Sequence, residues 1–362
     1  MLRWAKRGAG ALLTGALVFL VLVPTGRYLA RAGWEESKIL LRRKSIQRLV
    51  GDTTVPRATR AKLNAVLDAR AFAREQLGLD AGKSFTTYSP LDRDTLVLVL
   101  SAAYRDSLAF YRWWFPIVGR VPYKGYFDFD AANEAEEGFR VRGFDTQLRP
   151  APAFSTLGWF NDPLVSTSLR ADSLSLANTV IHELTHNTFY ASGQAEFNES
   201  FANFVGARGS AEFFRKRRSE RVADEADARW SDEKRLAVFW RRLYLDIDSV
   251  FKAHPGDSAR PERLVLRDSV YRSAKTFLVV NVAPLLRTVS PRYLERLRLD
   301  NAAVLSGRIY LTDLELFDSV YVREGSDTRR AIERTIALAK SAPKEPYEAL
   351  RRWLSAKAGP RQ

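Results

Sequence analysis

The sequence has no cysteine and only three histidines among its 362 residues. The first absence excludes disulfides and thiolate chemistry, and it argues neither for nor against an oxidising compartment. It also means that any metal site must be built from His, Glu or Asp. There is no Gly-rich phosphate loop, no serine nucleophile elbow, and no zinc-finger or RNP-like signature. The common nucleotide, acyl-serine and nucleic-acid readings therefore lose their support, and no nucleic-acid partner is expected. No internal repeat or low-complexity tract interrupts the chain. Acidic residues are scarce beside basic ones, 42 against 57, so the formal net charge is +15. Arginines spread along helical stretches fit a bacterial, GC-rich coding bias. The functional alternative is a basic surface facing anionic lipid. An apolar share of 46% and an aromatic share of 12% place the chain among globular proteins. Its length suffices for one large core or two modest ones.

Long apolar runs are scarce too. Residues 9–23 form the one that stands out, after the basic start Arg3, Lys6 and Arg7 and before Pro24. The run falls short of the roughly 20 residues a spanning helix needs. It suits a signal-peptide core, with Ala30-Arg31-Ala32 as a small-x-small cleavage site. Extended through Tyr28, Leu29 and Ala30, it becomes a single-pass anchor. The anchor is preferred, which makes residues 1–32 an inner-membrane segment with its basic flank on the cytoplasmic side. The catalytic part then lies on the periplasmic or outer side; the alternative is secretion to the periplasm after signal cleavage. No cysteine follows the run, so lipoprotein processing is excluded.

Residues 33–362 read as one α+β domain. Residues 33–110 are expected to be mainly helical, from Ile39, Leu40, Ile46 and Leu49 and then from 58–77, with a break at Gly51-Asp52 and Pro56. Residues 95–100, 123–129 and 138–143 look β-like, and 111–170 is expected to be β-rich. A helix hairpin is expected over 171–206 and a helical region over 207–362. The clearest helical segments there are 213–218, 236–251, 328–339 and 347–357.

What is present concentrates in one stretch. Two of the three histidines fall in Asn178-Thr-Val-Ile-His182-Glu183-Leu-Thr-His186. Positions i and i+4 share a helix face, so His182 and His186 can reach one metal ion, and Glu183 can reach a water on it. Leu174, Ala177, Val180, Ile181 and Leu184 supply the apolar body. Asp172 or Ser173 can cap the start, and Gly193 can stop the helix. The bland alternative is a pair of hydrogen-bonded core histidines, but a buried polar cluster is costly unless paired or bound to metal. A catalytic zinc takes three protein ligands and keeps one position open. His254, beside Pro255 and Gly256, reads as a loop residue. Phe197, Phe201, Phe204 and Val205 recur at helical spacing, so a second helix follows the turn Ser192-Gly193-Gln194. The hairpin brings a glutamate back to the histidines. Glu199 is preferred and Glu196 remains open; a carboxylate at 196 also suits a solvated helix start. Asn203, one turn beyond Glu199, can hydrogen-bond a ligand histidine. The expected cofactor is one Zn2+ per chain.

His-Glu-x-x-His followed by Asn-Glu-x-x-Ala resembles the gluzincins, zinc metallopeptidases whose third ligand is a glutamate. Phe-Asn-Glu-Ser-Phe-Ala at 197–202 is similar to Leu-Asn-Glu-Gly-Phe-Ala of the alanyl-type aminopeptidases. The gap from His186 to Glu199 is shorter than in that group. Over most of its length the chain instead resembles a bacterial family known as predicted aminopeptidases. The shared marks include Tyr123-Lys-Gly-Tyr-Phe127, the stretch 154–167, and Asn301-Ala302 with Tyr310. The resemblance implies a zincin-like metallopeptidase core, a small mixed sheet plus the metal-binding hairpin, between largely helical N- and C-terminal parts. It implies a zinc peptidase acting on peptide substrates, most simply an aminopeptidase, with Glu183 as general base. Tyr310, with Asn301 nearby in the motif, is the implied donor to the developing oxyanion. An edge strand upstream of the metal helix, Ser155, Thr156 and Leu157, would pair with the substrate backbone, and Gly158 would let the chain bend. Asp162 would hold the substrate amine, with Glu196 a second candidate. Asp162 before Pro163 also suits a plain turn cap. Relatives tend to carry two acids where this chain has Asn161-Asp162, and an acid near Gly206 that it lacks. Two other readings stay open: a membrane-associated zinc endopeptidase, and a catalytically inactive zinc-binding interaction protein. A structural zinc usually has four protein ligands, so three plus a base favours catalysis.

Overall fold

The computed structural model describes residues 20–115, 119–151 and 163–356. The fold is mixed α+β, mostly helical, with small sheets. Helix α1 (Pro24–Leu41) opens on a proline, whose fixed φ suits a first turn. It runs without a break past residue 32. Its buried Glu35 is met by Arg31 at 3.1 Å, Lys38 at 2.6 Å and Arg93 at 3.2 Å. The Tyr28 ring lies 5.3 Å from Phe115.

This corrects the expected single-pass inner-membrane location. Among the described residues no helix is long and apolar enough to cross a membrane. Tyr28, Leu29 and Ala30, the supposed extension of the apolar run, belong to a helix that also carries Arg27, Arg31, Glu35, Glu36 and Lys38. Taking those charges into hydrocarbon is costly, and the helix packs on protein instead. Residues 1–19, which hold most of the run, lie outside the described residues.

Strand β1 (Lys44–Ser45) leads into α2 (Ile46–Gly51) and, after the expected break, α3 (Arg57–Glu75). Leu63, Val66, Ala69 and Phe72 recur every third residue and give α3 its buried face. The rest of the segment expected to be helical turns to strand. β2 (Thr87–Ser89) pairs antiparallel with β1, and β3 (Val97–Tyr104) is the centre of a second sheet. Hairpin strands β4 (Trp113–Phe115) and β5 (Gly119–Val121) pair antiparallel. β6 (Lys124–Tyr126) flanks β3 on one side.

Helix α4 (Phe129–Val141) then occupies most of 138–143, where a strand was expected. The reason is local. Asp128 caps the helix by accepting from the Ala131 N–H at 3.1 Å, and the run that follows is rich in alanine and glutamate. Ala132, Ala135 and Phe139 then form one face against β3. Strand β7 (Phe144–Ala151) pairs antiparallel with β3, from Val97 opposite Ala151 to Tyr104 opposite Phe144. Phe144 and Leu148 of β7 pack with α4, so Asp145 and Arg149 point to the opposite face. β8 (Leu164–Val165) pairs parallel with β2.

The helical part follows: α5 (Ser173–Thr188), α6 (Ala195–Lys216), α7 (Glu220–Ala253), α8 (Arg260–Phe277), α9 (Pro291–Arg296), α10 (Asn301–Tyr310), α11 (Leu314–Arg323), α12 (Thr328–Ser341) and α13 (Pro346–Ser355). The largest core joins α3, α5 and α6 to α11, α12 and α13. At its centre Phe197, Phe201 and Phe204 of α6 surround Phe317 at 5.6–5.8 Å between ring centroids. Each fully buried ring contributes on the order of 1.5–3 kcal/mol. A second core joins α7, α8 and α10 through Trp240, Leu243, Tyr271 and Val304.

Candidate metal centre

Helix α5 begins as its sequence requires. Asp172, not Ser173, is the cap, its carboxylate accepting from the Ser175 N–H at 2.7 Å. Leu174, Ala177, Val180, Ile181 and Leu184 are buried, and this leaves His182 and His186 half-buried beside them, with side chains 15% and 21% exposed. The chain then turns through Gly193, whose φ of +75° a side chain would resist. Asn198 locks the turn. Its Oδ1 accepts from the Ala191 N–H and its Nδ2 donates to the Ala191 carbonyl, both at 2.8 Å. The next residue, Glu199, is thereby held over the histidines.

The geometry separates the two candidate carboxylates. Glu199 lies 3.5 Å from His182 Nε2 and 3.7 Å from His186 Nε2, and the two Nε2 atoms are 3.2 Å apart. Glu196 faces away and pairs with Arg308 at 3.0 Å. A tetrahedral zinc with bonds of about 2.0–2.1 Å spaces its ligand atoms roughly 3.3–3.4 Å apart. The three measured separations bracket that spacing, so His182, His186 and Glu199 form a group that could hold one metal ion. Burial pushes the Glu199 carboxyl up, but hydrogen bonds from both imidazoles outweigh it and hold its pKa down at about 2. Burial pushes His186 down, yet Glu199 and then Glu183 raise its pKa above the ordinary value. Glu183 is thus within electrostatic reach of the cluster.

Helix α10 closes the other side. Asn203 does not take the expected role beside a ligand histidine; its Nδ2 donates to the Tyr310 carbonyl at 2.8 Å, tying α10 to the helix that carries Glu199. The Tyr310 hydroxyl accepts from Arg149 Nη2 at 3.3 Å. Tyr123 keeps 46% of its surface, yet burial is the first cause of its raised pKa. The charges of Tyr310, Glu199 and Tyr190 add to the rise, and Arg149 opposes it. The Tyr190 ring sits 6.5 Å from His186.

Asn301 is not part of this site. Its amide donates to the carbonyls of Tyr104, Arg105 and Ser107, and its Oδ1 accepts from Arg267 and Tyr271. It is a fully bonded peg at the far end of α10. His254 follows α7 as a loop residue, 3.5 Å from Glu262. Ser155, Thr156, Leu157, Gly158 and Asp162 lie outside the described residues.

Three residues of the site were not picked out by sequence reasoning. Asn198 stood in the Asn-Glu-x-x-Ala motif, but nothing there marked it as the residue that closes the turn. Tyr123 was visible only as part of a shared motif. Arg149 gave none, because its partner Tyr310 lies 161 residues away in the chain.

A paired histidine helix, a glutamate hairpin and a small antiparallel sheet define a candidate metal centre in a mixed α+β protein. A family model described as "Putative aminopeptidase" matches residues 27–350, and the chain belongs to that family. No curated protein and no solved structure matches the chain.

Proposed function

We propose that the protein is a zinc-dependent peptidase of the gluzincin type, with a zincin-like core, that removes residues from the amino end of peptides. The observation that carries this reading is the set of three ligand atoms spaced as a tetrahedral zinc spaces them. Membership of the aminopeptidase family supports the same reaction. His182, His186 and Glu199 would hold the ion. When bound, zinc supplies Lewis acidity that polarises the substrate carbonyl and lowers the pKa of a water to about 7. Glu183 takes a proton from the attacking water and returns it to the departing amine. The Tyr310 hydroxyl donates to the carbonyl oxygen as that oxygen gains charge. Arg149 donates to the Tyr310 oxygen and so leaves its proton free to turn toward the substrate.

Purified protein should carry about one zinc per chain. Glu183→Gln should keep that zinc and lose peptidase activity by roughly 10²–10⁴-fold. A parent protein without zinc, or a Glu183→Gln variant that stays active, sinks the proposal. Acetylating the substrate amine should abolish cleavage; equal cleavage of acetylated peptides would make the protein an endopeptidase.

A further inference from the structure

Arg149 is half-buried on β7, on the face turned toward α10. Its partners among the described residues are the Tyr310 hydroxyl, at 3.3 Å, and the Tyr310 ring, with its centroid 5.6 Å from the guanidinium carbon. Neither carries a charge that answers its own. Neighbouring arginines are used differently: Arg308 pairs with Glu196, and Arg105 and Arg267 pair with Asp268. A guanidinium offers five N–H donors in a planar fork that matches a carboxylate, and the single hydroxyl takes one of them. Among the described residues nothing answers the rest, and leaving them unmatched in a half-buried position is costly unless a ligand arrives.

The charges of the site point the same way. The two positive charges of a bound zinc are met by Glu199 and Glu183. Among the described residues Arg149 is then a surplus cation, close enough to act on the same Tyr123 phenol that senses Glu199. We infer that Arg149, with the Tyr123 hydroxyl, forms a subsite for a substrate carboxylate beside the metal centre. This rests on the zinc-peptidase reading and narrows its substrate class. An extended peptide advances about 3.3–3.6 Å per residue, so a cation beside the metal centre meets a C-terminal carboxylate only in short peptides. An acidic side chain next to the scissile bond presents the same group. The substrates are therefore short peptides, or peptides with Asp or Glu beside the cut.

The test uses zinc-loaded full-length protein and three uncleavable phosphinic analogues of Ala-Ala: the free acid, the C-terminal amide, and an amide with glutamate in the second position. Binding is measured by calorimetry and zinc content by atomic absorption. The parent should bind at least one carboxylate form about 10- to 100-fold more tightly than the plain amide. Preference for the acid identifies the chain terminus as the source, and preference for the glutamate amide identifies the side chain. Arg149→Ala should abolish the difference with zinc unchanged, and Arg149→Lys should keep part of it. If Arg149→Ala does not fold, Arg149→Gln carries the same comparison. Equal binding of all three by a zinc-loaded parent overturns the inference alone. So does a preference that survives in Arg149→Ala. A parent that takes up no zinc and binds none of the analogues overturns both this inference and the peptidase reading.

Discussion

The two glutamates that end in different places are three residues apart on one helix. Glu196 sits in the first turn of α6 with 42% of its side chain exposed, and Arg308 claims it. Glu199, 26% exposed, is turned inward by Asn198, whose amide closes the loop back on Ala191. Removing a ligand carboxylate and removing a surface ion pair are different events in energy. A surface pair contributes about 0–1 kcal/mol, whereas a missing ligand opens the coordination shell. Glu199→Ala should therefore lose nearly all bound zinc, and Glu196→Ala should retain about one per chain, both read by atomic absorption. The opposite pattern would place the ligand at 196. The histidine pair could be read directly from the sequence, because i,i+4 geometry is local. The choice between the glutamates could not, since it depends on Arg308, which is more than a hundred residues away.

At the scale of elements, the hairpin works because α5 and α6 cross closely. An added Cβ at Gly206 would stand 3.2 Å from the Asn178 carbonyl oxygen, and one at Gly209 would stand 2.7 Å from Leu77 Cδ1 and 3.0 Å from Ile181 Cγ2. Ile181 adjoins His182, so pushing the helices apart displaces a histidine of the candidate metal centre. Gly209→Val should cost about 1–3 kcal/mol through overpacking, more than the few tenths that its better helix propensity returns. Gly138, inside α4, has nothing within 4 Å of such a Cβ. Gly138→Ala should therefore stabilise by about 0.5–1 kcal/mol. Thermal unfolding of the two variants should move in opposite directions; a Gly209→Val protein as stable as the parent would contradict the close crossing. The elements also match in length. From Asp145 to Arg149 the strand β7 advances roughly 13 Å, and from Asn301 to Tyr310 the helix α10 advances about the same. Pinning Asn301 to Asp145 at one end therefore sets Tyr310 beside Arg149 at the other.

Across the whole molecule, a buried polar network joins the sheet to the C-terminal helices. Asp145 of β7 pairs with Arg267 of α8 and accepts from the Asn301 N–H at 3.0 Å. Asp300 caps α10 by accepting from the Ala303 N–H at 3.0 Å; its other oxygen faces Arg298 at 2.9 Å without a well-aligned hydrogen bond. Burial first, and then the charge of Asp145, push the Asp300 carboxyl up to about 6. Between its unfolded value near 3.8 and about 6, the folded state binds more protons than the unfolded one, so stability falls as pH rises through that window. Asp300→Asn keeps a capping oxygen and removes the charge. The variant should gain on the order of 2–3 kcal/mol over the parent above pH 6 and little below pH 4, measured by urea unfolding. A constant difference across that range would count against it. The sequence by itself determined the histidine helix, the glutamate hairpin and the two last helices, because each rests on spacing within one or two turns. Other expectations gave way to the structure, among them the strand over 138–143 and the single-pass span. The helix over 138–141, expected as strand, starts from the Asp128 cap and an alanine- and glutamate-rich run that lie upstream of the window 138–143. The single-pass span gave way because Glu35 of α1 finds Arg93 across a fold that no hydropathy run records. Only the tertiary structure decided which glutamate faces the histidines, that Asn301 is a peg, and that Arg149 stands beside Tyr310. Each of those depends at least in part on a contact between segments a hundred or more residues apart, such as Glu196 with Arg308, Asn301 with Tyr104 and Arg149 with Tyr310, and the chain carries no local signal for contacts at that distance.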